Sequence, residues 1–376
     1  DLITNVARPF VSGTASPGDT VVVSDSSGHT VSTIADANGS YRIQVPQAMG
    51  EGTNVFTSYS VDQAGNTSAP ISLTVRLDST IVPLPAPTLD SSSDTGLSNS
   101  DDVTRATAPV FTGNGAEPGA LVTIYANGVS VGQSTADASG QYTIPSSILG
   151  SDGQYQVTTR QTDIAGNVSA MGPAITVTVD TVSQRPTSLM LTSDTFGGGT
   201  AGTTSDLLTK DSQVSVTGVA EANSIVTLFD GTLSVGQATT NANGNWTVQT
   251  SSLTDGQHIL TATAVDPAGN TSTQSGNLSV VVDTKTPTPA LSLSSLSDSF
   301  GSGTSGTNRD NLTNVTLPVV HGTAEAGAFV VIYEGSISVG SALADNTGAW
   351  STQLNSPLSG SASGIGHTLV AQSIDP

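Results

Sequence analysis

Leu121-Val122-Thr123-Ile124-Tyr125 runs into Asn127-Gly128 and out again through Val129-Ser130-Val131-Gly132. Aliphatic and β-branched residues alternate with polar ones on both sides of a dipeptide that readily takes the positive φ angles of a two-residue β-turn, so the stretch reads as a β-hairpin. Asp230-Gly231 and Glu334-Gly335 repeat the signal further along the chain. Tyr142-Thr143-Ile144, Tyr155-Gln156-Val157-Thr158-Thr159 and Ile175-Thr176-Val177-Thr178-Val179 extend it, with Gly, Asp and Asn between them. No 3.6-residue apolar period occurs, and about seven short strands per ~100 residues describe an all-β sandwich.

The hairpin belongs to a repeat. Ala64-Gly65-Asn66, Ala165-Gly166-Asn167 and Ala268-Gly269-Asn270 recur at spacings of 101 and 103, each two residues after an aspartate (Asp62, Asp163, Asp266). Asp1, Asp101, Asp206 and Asp310 stand three residues before Thr4, Thr104, Thr209 and Thr313, and twelve before Gly13, Gly113, Gly218 and Gly322. A third series places an aromatic residue two after a turn glycine, at Tyr41, Tyr142, Trp246 and Trp350. Proline marks the joins at Pro83, Pro85, Pro87, Pro186, Pro287 and Pro289, which predicts short, stiff linkers. The expected modules are residues 1–78, 79–180, 181–283 and 284–376, the first without its opening strand and the last without its closing strand.

Composition narrows the function. Nine Lys and Arg face 30 Asp and Glu, a net charge of −21, although only 10% of the 376 residues are charged. Nucleic acid and anionic membrane surfaces need a basic patch, which this chain lacks, so neither is an expected partner. No stretch approaches the ~20 apolar residues of a membrane span, so membrane insertion is not expected. Asp1-Leu2-Ile3-Thr4 has no signal-peptide character, and the chain reads as a segment of a longer protein. With no cysteine, stability rests on cores or metal rather than disulfides.

Asp-x-Ala-Gly-Asn, together with Gly-x-Ala-Glu-x-Gly at Glu325 and near-matches at Glu117 (Asn114 in place of the first Gly) and Glu221 (Asn in place of the last Gly), and Ser-Asp-Thr/Ser before Asp-x-Val/Leu-Thr, resembles the bacterial Ig-like repeats of giant non-fimbrial adhesins exported by type I secretion. The resemblance spans the whole chain. It implies tandem immunoglobulin-like β-sandwich modules in an extended rod, secreted or at the bacterial cell surface, stiffened by calcium and carrying host-binding modules at its end. The partners expected on that basis are neighbouring modules of the same chain and, through the parent protein, a host-cell glycan or glycoprotein, with the chain itself monomeric and of use in virulence.

Tracing strand directions through the hairpins brings the Glu117 loop, the Asp137 loop and the Asp163 loop to one end of a module. Asp78 of the incoming linker arrives at the same end. Four like charges ~4–5 Å apart repel by roughly 1 kcal/mol per pair in water and by several at an effective dielectric near 20, so the group needs a cation. Calcium suits it, since Ca²⁺ takes six to eight oxygen ligands in loose geometry and zinc prefers the Cys and clustered His missing here. The equivalents are Asp180, Glu221 and Asp266, with Asn241 in place of the aspartate, and then Asp283, Glu325, Asp345 and Asp375. The first copy, with Ser16 in place of Glu, offers only Asp36 and Asp62. A second candidate set lies before strand B within each module: Asp94, Asp101 and Asp102, then Asp194 and Asp206, then Asp298 and Asp310. Glycine-rich inserts at Phe196-Gly197-Gly198-Gly199 and Phe300-Gly301-Ser302-Gly303 can turn carbonyls inward there.

Other residues carry blander readings. Trp246 and Trp350 share their slot with Tyr41 and Tyr142, which favours core packing over sugar stacking. His29, His258, His321 and His367 occupy isolated places with no hydrolytic constellation, and no Gly-x-Ser-x-Gly elbow or phosphate loop exists. No enzyme activity is expected, and the sequence predicts a calcium-stiffened adhesin shaft. Two other readings stand beside it: a module that itself binds host glycan or protein, and a spacer of a secreted polysaccharide-active enzyme.

Overall fold

The computed structural model describes residues 2–194, 207–298, 311–358 and 366–374. All regular structure among them is β, and no helix is long and apolar enough to cross a membrane. The chain divides into two compact units, residues 1–182 with 267–270, and residues 183–266 with 271–376.

The first unit holds two repeats. In the second of these, Val129–Thr135, Leu121–Ala126, Gly153–Thr162, Ile175–Val179 and Val103–Thr104 form one five-stranded sheet in that order. Thr88–Leu89, Val110–Gly113 and Tyr142–Pro145 form the facing sheet, with Val110–Gly113 central. The hairpin turns at Asn127 and Gly128, whose φ angles are 48° and 81°, as its sequence requires. Val103–Thr104 pairs parallel to Ile175–Val179, the strand that leads out of the repeat. Alternation sends Val122 and Ile124 inward to full burial beside Phe111, Ile144, Val157 and Val177. The first repeat copies the five-stranded sheet, with Ile3–Thr4 parallel to Ile71–Leu77, and its smaller sheet contains Phe10–Thr14 and Ser40–Gln44.

In the second unit, Thr187–Leu191, Ser215–Val219 and Asn245–Gln249 make the smaller sheet of one repeat, opposite a five-stranded sheet that runs from Leu208–Thr209 to Leu233–Thr239. The next repeat pairs Ser292–Leu293, Val319–Thr323 and Ala349–Gln353, opposite Ile337–Leu343, Phe329–Glu334 and Leu369–Ile374.

Two of the periodic features of the sequence are one interaction in space. Gly13, Gly113, Gly218 and Gly322 are the direct cross-strand partners of Tyr41, Tyr142, Trp246 and Trp350. Each ring lies over its glycine, and a Cβ on Gly218 would stand 2.4 Å from Trp246 Cζ2 and 3.0 Å from the Thr187 carbonyl oxygen. Both tryptophans are core residues, 3% and 4% exposed, so the packing reading of that slot holds and a sugar platform does not.

Edge protection uses a bulge rather than lysine. The hairpin register slips between Ile124 and Tyr125, between Leu228 and Phe229, and between Ile332 and Tyr333. The carbonyls of Val131, Val235 and Val339 then accept Ser147 N, Ser251 N and Asn355 N at 2.7, 2.7 and 2.8 Å. The outer strand is thus tied to the segment leaving the opposite sheet, which blunts an edge otherwise open to pairing.

Replacing Gly218 by Ala is expected to cost roughly 1–3 kcal/mol through overpacking against Trp246. Urea unfolding followed by Trp246 fluorescence in a Trp350→Phe background will show a lowered midpoint. Gly276→Ala, where a Cβ meets nothing within 4 Å, will leave it in place.

Candidate metal centre

The Asp-x-Ala-Gly-Asn turn builds the site from the main chain up. Asp163 Oδ1 accepts Asn167 N at 2.8 Å, Asp163 Oδ2 accepts the Asn167 side-chain amide at 2.7 Å, and Asp163 N donates to the Asn167 carbonyl at 3.0 Å. Gly166, at φ 89°, closes the turn. The same Asn167 amide nitrogen donates to the carbonyl of Asp78 at 2.7 Å, so the motif's asparagine fastens the incoming linker. In the same unit Asn270 does likewise to the carbonyl of Asp180 at 2.8 Å. Gln161, fully buried, spans the other side: its Oε1 accepts Glu117 N at 2.9 Å and its Nε2 donates to the Val82 carbonyl at 2.8 Å.

These ties gather Asp78, Glu117 and Asp163 so that one carboxylate oxygen of each lies within 4.8 Å of the others. Asp163 is buried, and Asp78 and Glu117 are half-buried. Arg76 Nη2 lies 3.4 Å from Asp78 Oδ2 and brings a cation to the three acids. Burial, followed by repulsion from Asp78 and Asp163, pushes the Glu117 carboxyl above its ordinary range, against the pull of Arg76. Three carboxylate oxygens so close together, with surplus negative charge, are a donor set that could hold a metal ion, and hard oxygens are the donor chemistry that Ca²⁺ takes.

Asp137 does not join them. Its Oδ1 accepts Ser139 N, Ser139 Oγ and Gln141 N at 2.8, 2.7 and 2.9 Å, bonds that hold the carboxyl below its ordinary range. Asp345 does the same with Thr347 and Ala349, and Asn241 with Asn243 and Asn245. An amide oxygen serves this turn as well as a carboxylate, so the asparagine in the third copy already marks the position as a turn residue.

In the second unit Glu221 accepts Gln184 N at 3.3 Å and Asp266 is fully buried. Asp180, in the first unit, accepts Val182 N at 3.1 Å. Asp283 accepts Lys285 N at 3.1 Å, and Glu325 is half-buried on the turn where its carbonyl accepts Ala328 N. Asp375 lies outside the described residues. In the first copy Asp62 repeats the turn of Asp163 with Asn66, and Asp36 caps its own turn through Asn38 N and Ser40 N.

The within-repeat set centres on one buried aspartate. Asp94, 4% exposed, accepts Asp102 N on Oδ2 at 3.3 Å, while its Oδ1 is buried without a hydrogen-bond partner. Asp194 and Asp298 do the same with Leu207 N at 3.2 Å and Asn311 N at 3.3 Å, again with a buried, unpartnered Oδ1. The three donors all hold left-handed backbone, at φ 59°, 65° and 62°. Burial and then repulsion from Asp101 and Asp102 raise the Asp94 carboxyl, and burial and Asp101 raise that of Asp102. Asp101 Oδ1 accepts Val103 N at 3.2 Å. The position of Asp102 is Leu207 and Asn311 in the later copies, so its carboxylate does not recur. Asp206, Asp310 and the two glycine-rich inserts lie outside the described residues.

One set escaped the sequence reading. Glu51 accepts Ser79 N at 3.2 Å and the Ser79 hydroxyl, and Asp152 accepts Thr181 Oγ1 at 2.8 Å. Asp255 accepts Thr284 Oγ1 at 2.7 Å, and with Lys285 Nζ at 2.5 Å its pKa falls to about 2. Each acid clamps the hydroxyl residue that follows the linker aspartate. The available signal was an acid before glycine paired with Asp-Ser or Asp-Thr 27 to 29 residues later.

Raising the Glu117 carboxyl has a signed consequence in metal-free protein. Its contribution to stability is present below the ordinary glutamate range and is lost as pH rises through the raised value. Calorimetry in chelator is expected to show the wild type losing thermal stability relative to Glu117→Gln as pH rises from about 4.5. Parallel pH profiles would contradict the repulsion described.

The bacterial Ig-like domain family matches residues 1–79, 81–181 and 187–284. No curated protein matches the chain in sequence. Among solved structures, a tetra-tandem repeat in the extending region of a large adhesion protein is similar at 20% identity and TM-score 0.32, covering 99% of this chain and 96% of that one. The fibronectin(III)-like modules of Clostridium thermocellum CbhA are similar at 16% identity and TM-score 0.29, covering 52% of this chain and 93% of theirs. With three successive matches spread over most of its length, the chain belongs to the bacterial Ig-like domain family.

Proposed function

We propose that this chain is a calcium-stiffened shaft segment of a secreted or surface-bound bacterial adhesin, resembling in its motifs the giant non-fimbrial adhesin of Salmonella. Export by type I secretion and contact with host cells, through modules elsewhere in the parent protein, complete the reading. The observation that carries it is the meeting of Asp78, from a linker, with Glu117 and Asp163, from two loops of the following repeat. A cation held there joins the linker to the loops, so the angle between successive repeats depends on its presence. The buried Oδ1 atoms of Asp94, Asp194 and Asp298 supply a second kind of Ca²⁺ ligand, within the repeat, together with Asp101 and Asp102 in the second copy. Asp180, Glu221 and Asp266, and then Asp283 and Glu325, are the corresponding ligands at the later joins, in line with the repeat. Modules 1–78, 79–180, 181–283 and 284–376 are the units so joined. No residue is asked to do chemistry, and the parent protein is extracellular.

Extracellular calcium modules work at about 10⁻⁴–10⁻³ M, so millimolar calcium is the concentration to test. X-ray scattering of the whole chain is expected to give a larger radius of gyration and a narrower distance distribution with calcium than with chelator. Glu117→Gln will reduce the difference. Equal radii in the two conditions overturn the reading.

A further inference from the structure

Three of the chain's four histidines meet an acid at the same structural position. Asp25, Asp230 and Glu334 end the strands Thr20–Asp25, Ile225–Asp230 and Phe329–Glu334, where each hairpin turns. His29 Nδ1 lies 2.9 Å from Asp25 Oδ2, His258 Nδ1 2.7 Å from Asp230 Oδ2, and His367 Nδ1 2.5 Å from Glu334 Oε1. The sequence reading treats these histidines as isolated. That is corrected: His258 and His367 are equivalent, each eight residues before the aspartate of its repeat, Asp266 or Asp375. His29 reaches the same carboxylate position from the hairpin itself.

His258 is the most constrained of the three. It is 9% exposed, on the inward face of Gly256–Val265 that also carries the fully buried Leu260. Its Nδ1 faces the Asp230 carboxylate and its Nε2 faces the Thr254 carbonyl at 2.8 Å. Both partners are acceptors only. A neutral imidazole has one N–H to give, so both contacts are hydrogen bonds only when the ring carries two protons. Among the described residues Asp230 is the charged group acting on the ring, and the cross-strand neighbour is Val280. In the adjoining turn Asp255 is engaged by Lys285 and Thr284. Burial opposes the charge, while the Thr254 carbonyl and Asp230 favour it, and the pair outweighs burial, so the ring's pKa lies above its ordinary value.

We propose that His258 is a proton-held latch of the third repeat, tying Asp230 at the hairpin end to the Thr254 carbonyl in the turn that leads into the strand Gly256–Val265. When the ring loses a proton, one of the two ties becomes a contact between lone pairs and opens. The contribution to stability is complete below the ordinary histidine value of about 6.5 and is lost as pH rises through the raised value. The latch therefore closes in the direction of pH change that protonates carboxylates. His367 Nδ1 meets Glu334 Oε1 at the same place in the next repeat.

The test is a histidine ¹H–¹³C titration of the full chain at constant millimolar calcium between pH 5 and 9. His258 is assigned by its loss in His258→Gln or, should that variant not fold, by elimination with His29→Gln, His321→Gln and His367→Gln. The expected result is a midpoint for His258 above 6.5 that falls in Asp230→Asn. Thermal stability of the wild type is expected to drop from pH 5.5 to pH 8.5 by more than that of Asp230→Asn. A His258 midpoint at or below 6.5, or one that Asp230→Asn leaves unmoved, overturns the latch.

Discussion

The side-chain amide of Asn167, shared between the carboxylate of Asp163 and the carbonyl of Asp78, is the contact on which the first join depends. A linker between two β-sandwiches has no ladder of its own, so its direction must be fixed by bonds borrowed from loops. Asn167 lends one, Gln161 a second through Val82, and the Glu51 carboxylate a third through Ser79. With the main chain so held, the Asp78 side chain falls between Glu117 and Asp163. The acidic group is thus a consequence of how the linker is fastened.

That order of causes explains why the acids stay together despite repulsion. With nine basic residues to 30 acidic ones, most carboxylates cannot find an ion-pair partner. Those on turns answer this by accepting bonds from a neighbouring side chain (Asn66, Ser139 or Thr347) and then from main-chain N–H groups, as Asp62, Asp137 and Asp345 do, which keeps their carboxyls low. Glu117 has no such bonds to its carboxylate among those described, and those that Asp94 receives do not offset its burial, so burial and neighbouring charge raise both. Asp163 belongs to both groups: it accepts two bonds from Asn167 on its own turn and still meets Asp78 and Glu117.

The hairpins, the strands and the Gly-to-aromatic pairs were legible because each is local or periodic: Asn127-Gly128 dictates its turn, and Gly113 and Tyr142 recur in step. The gathering of Asp78, Glu117 and Asp163 was legible too, since strand direction alone sends those loops to one end. Asp137 reaches that end in sequence terms but is not among the acids whose oxygens come together there, a difference that topology does not resolve. The stranded Oδ1 of Asp94 depends on burial, and the clamp of Asp152 on Thr181 depends on two segments meeting. The partnership of His258 with Asp230 was hidden for the same reason, since the two stand 28 residues apart.

The parallel pairing of Ile3–Thr4 with Ile71–Leu77, and of Val103–Thr104 with Ile175–Val179, bears on what happens when such a chain is pulled. In these two repeats the short strand that opens the five-stranded sheet and the last strand lie side by side and point the same way, although in the second repeat Thr88–Leu89 of the facing sheet comes first in the chain. Tension applied to the two ends draws them in opposite directions along their common axis, so their hydrogen bonds are loaded together in shear and do not peel one at a time. Forced unfolding is governed by the rate of crossing the unfolding barrier, not by equilibrium stability. A few bonds placed there set the load the repeat bears before it yields, however modest the stability of the rest of the sandwich.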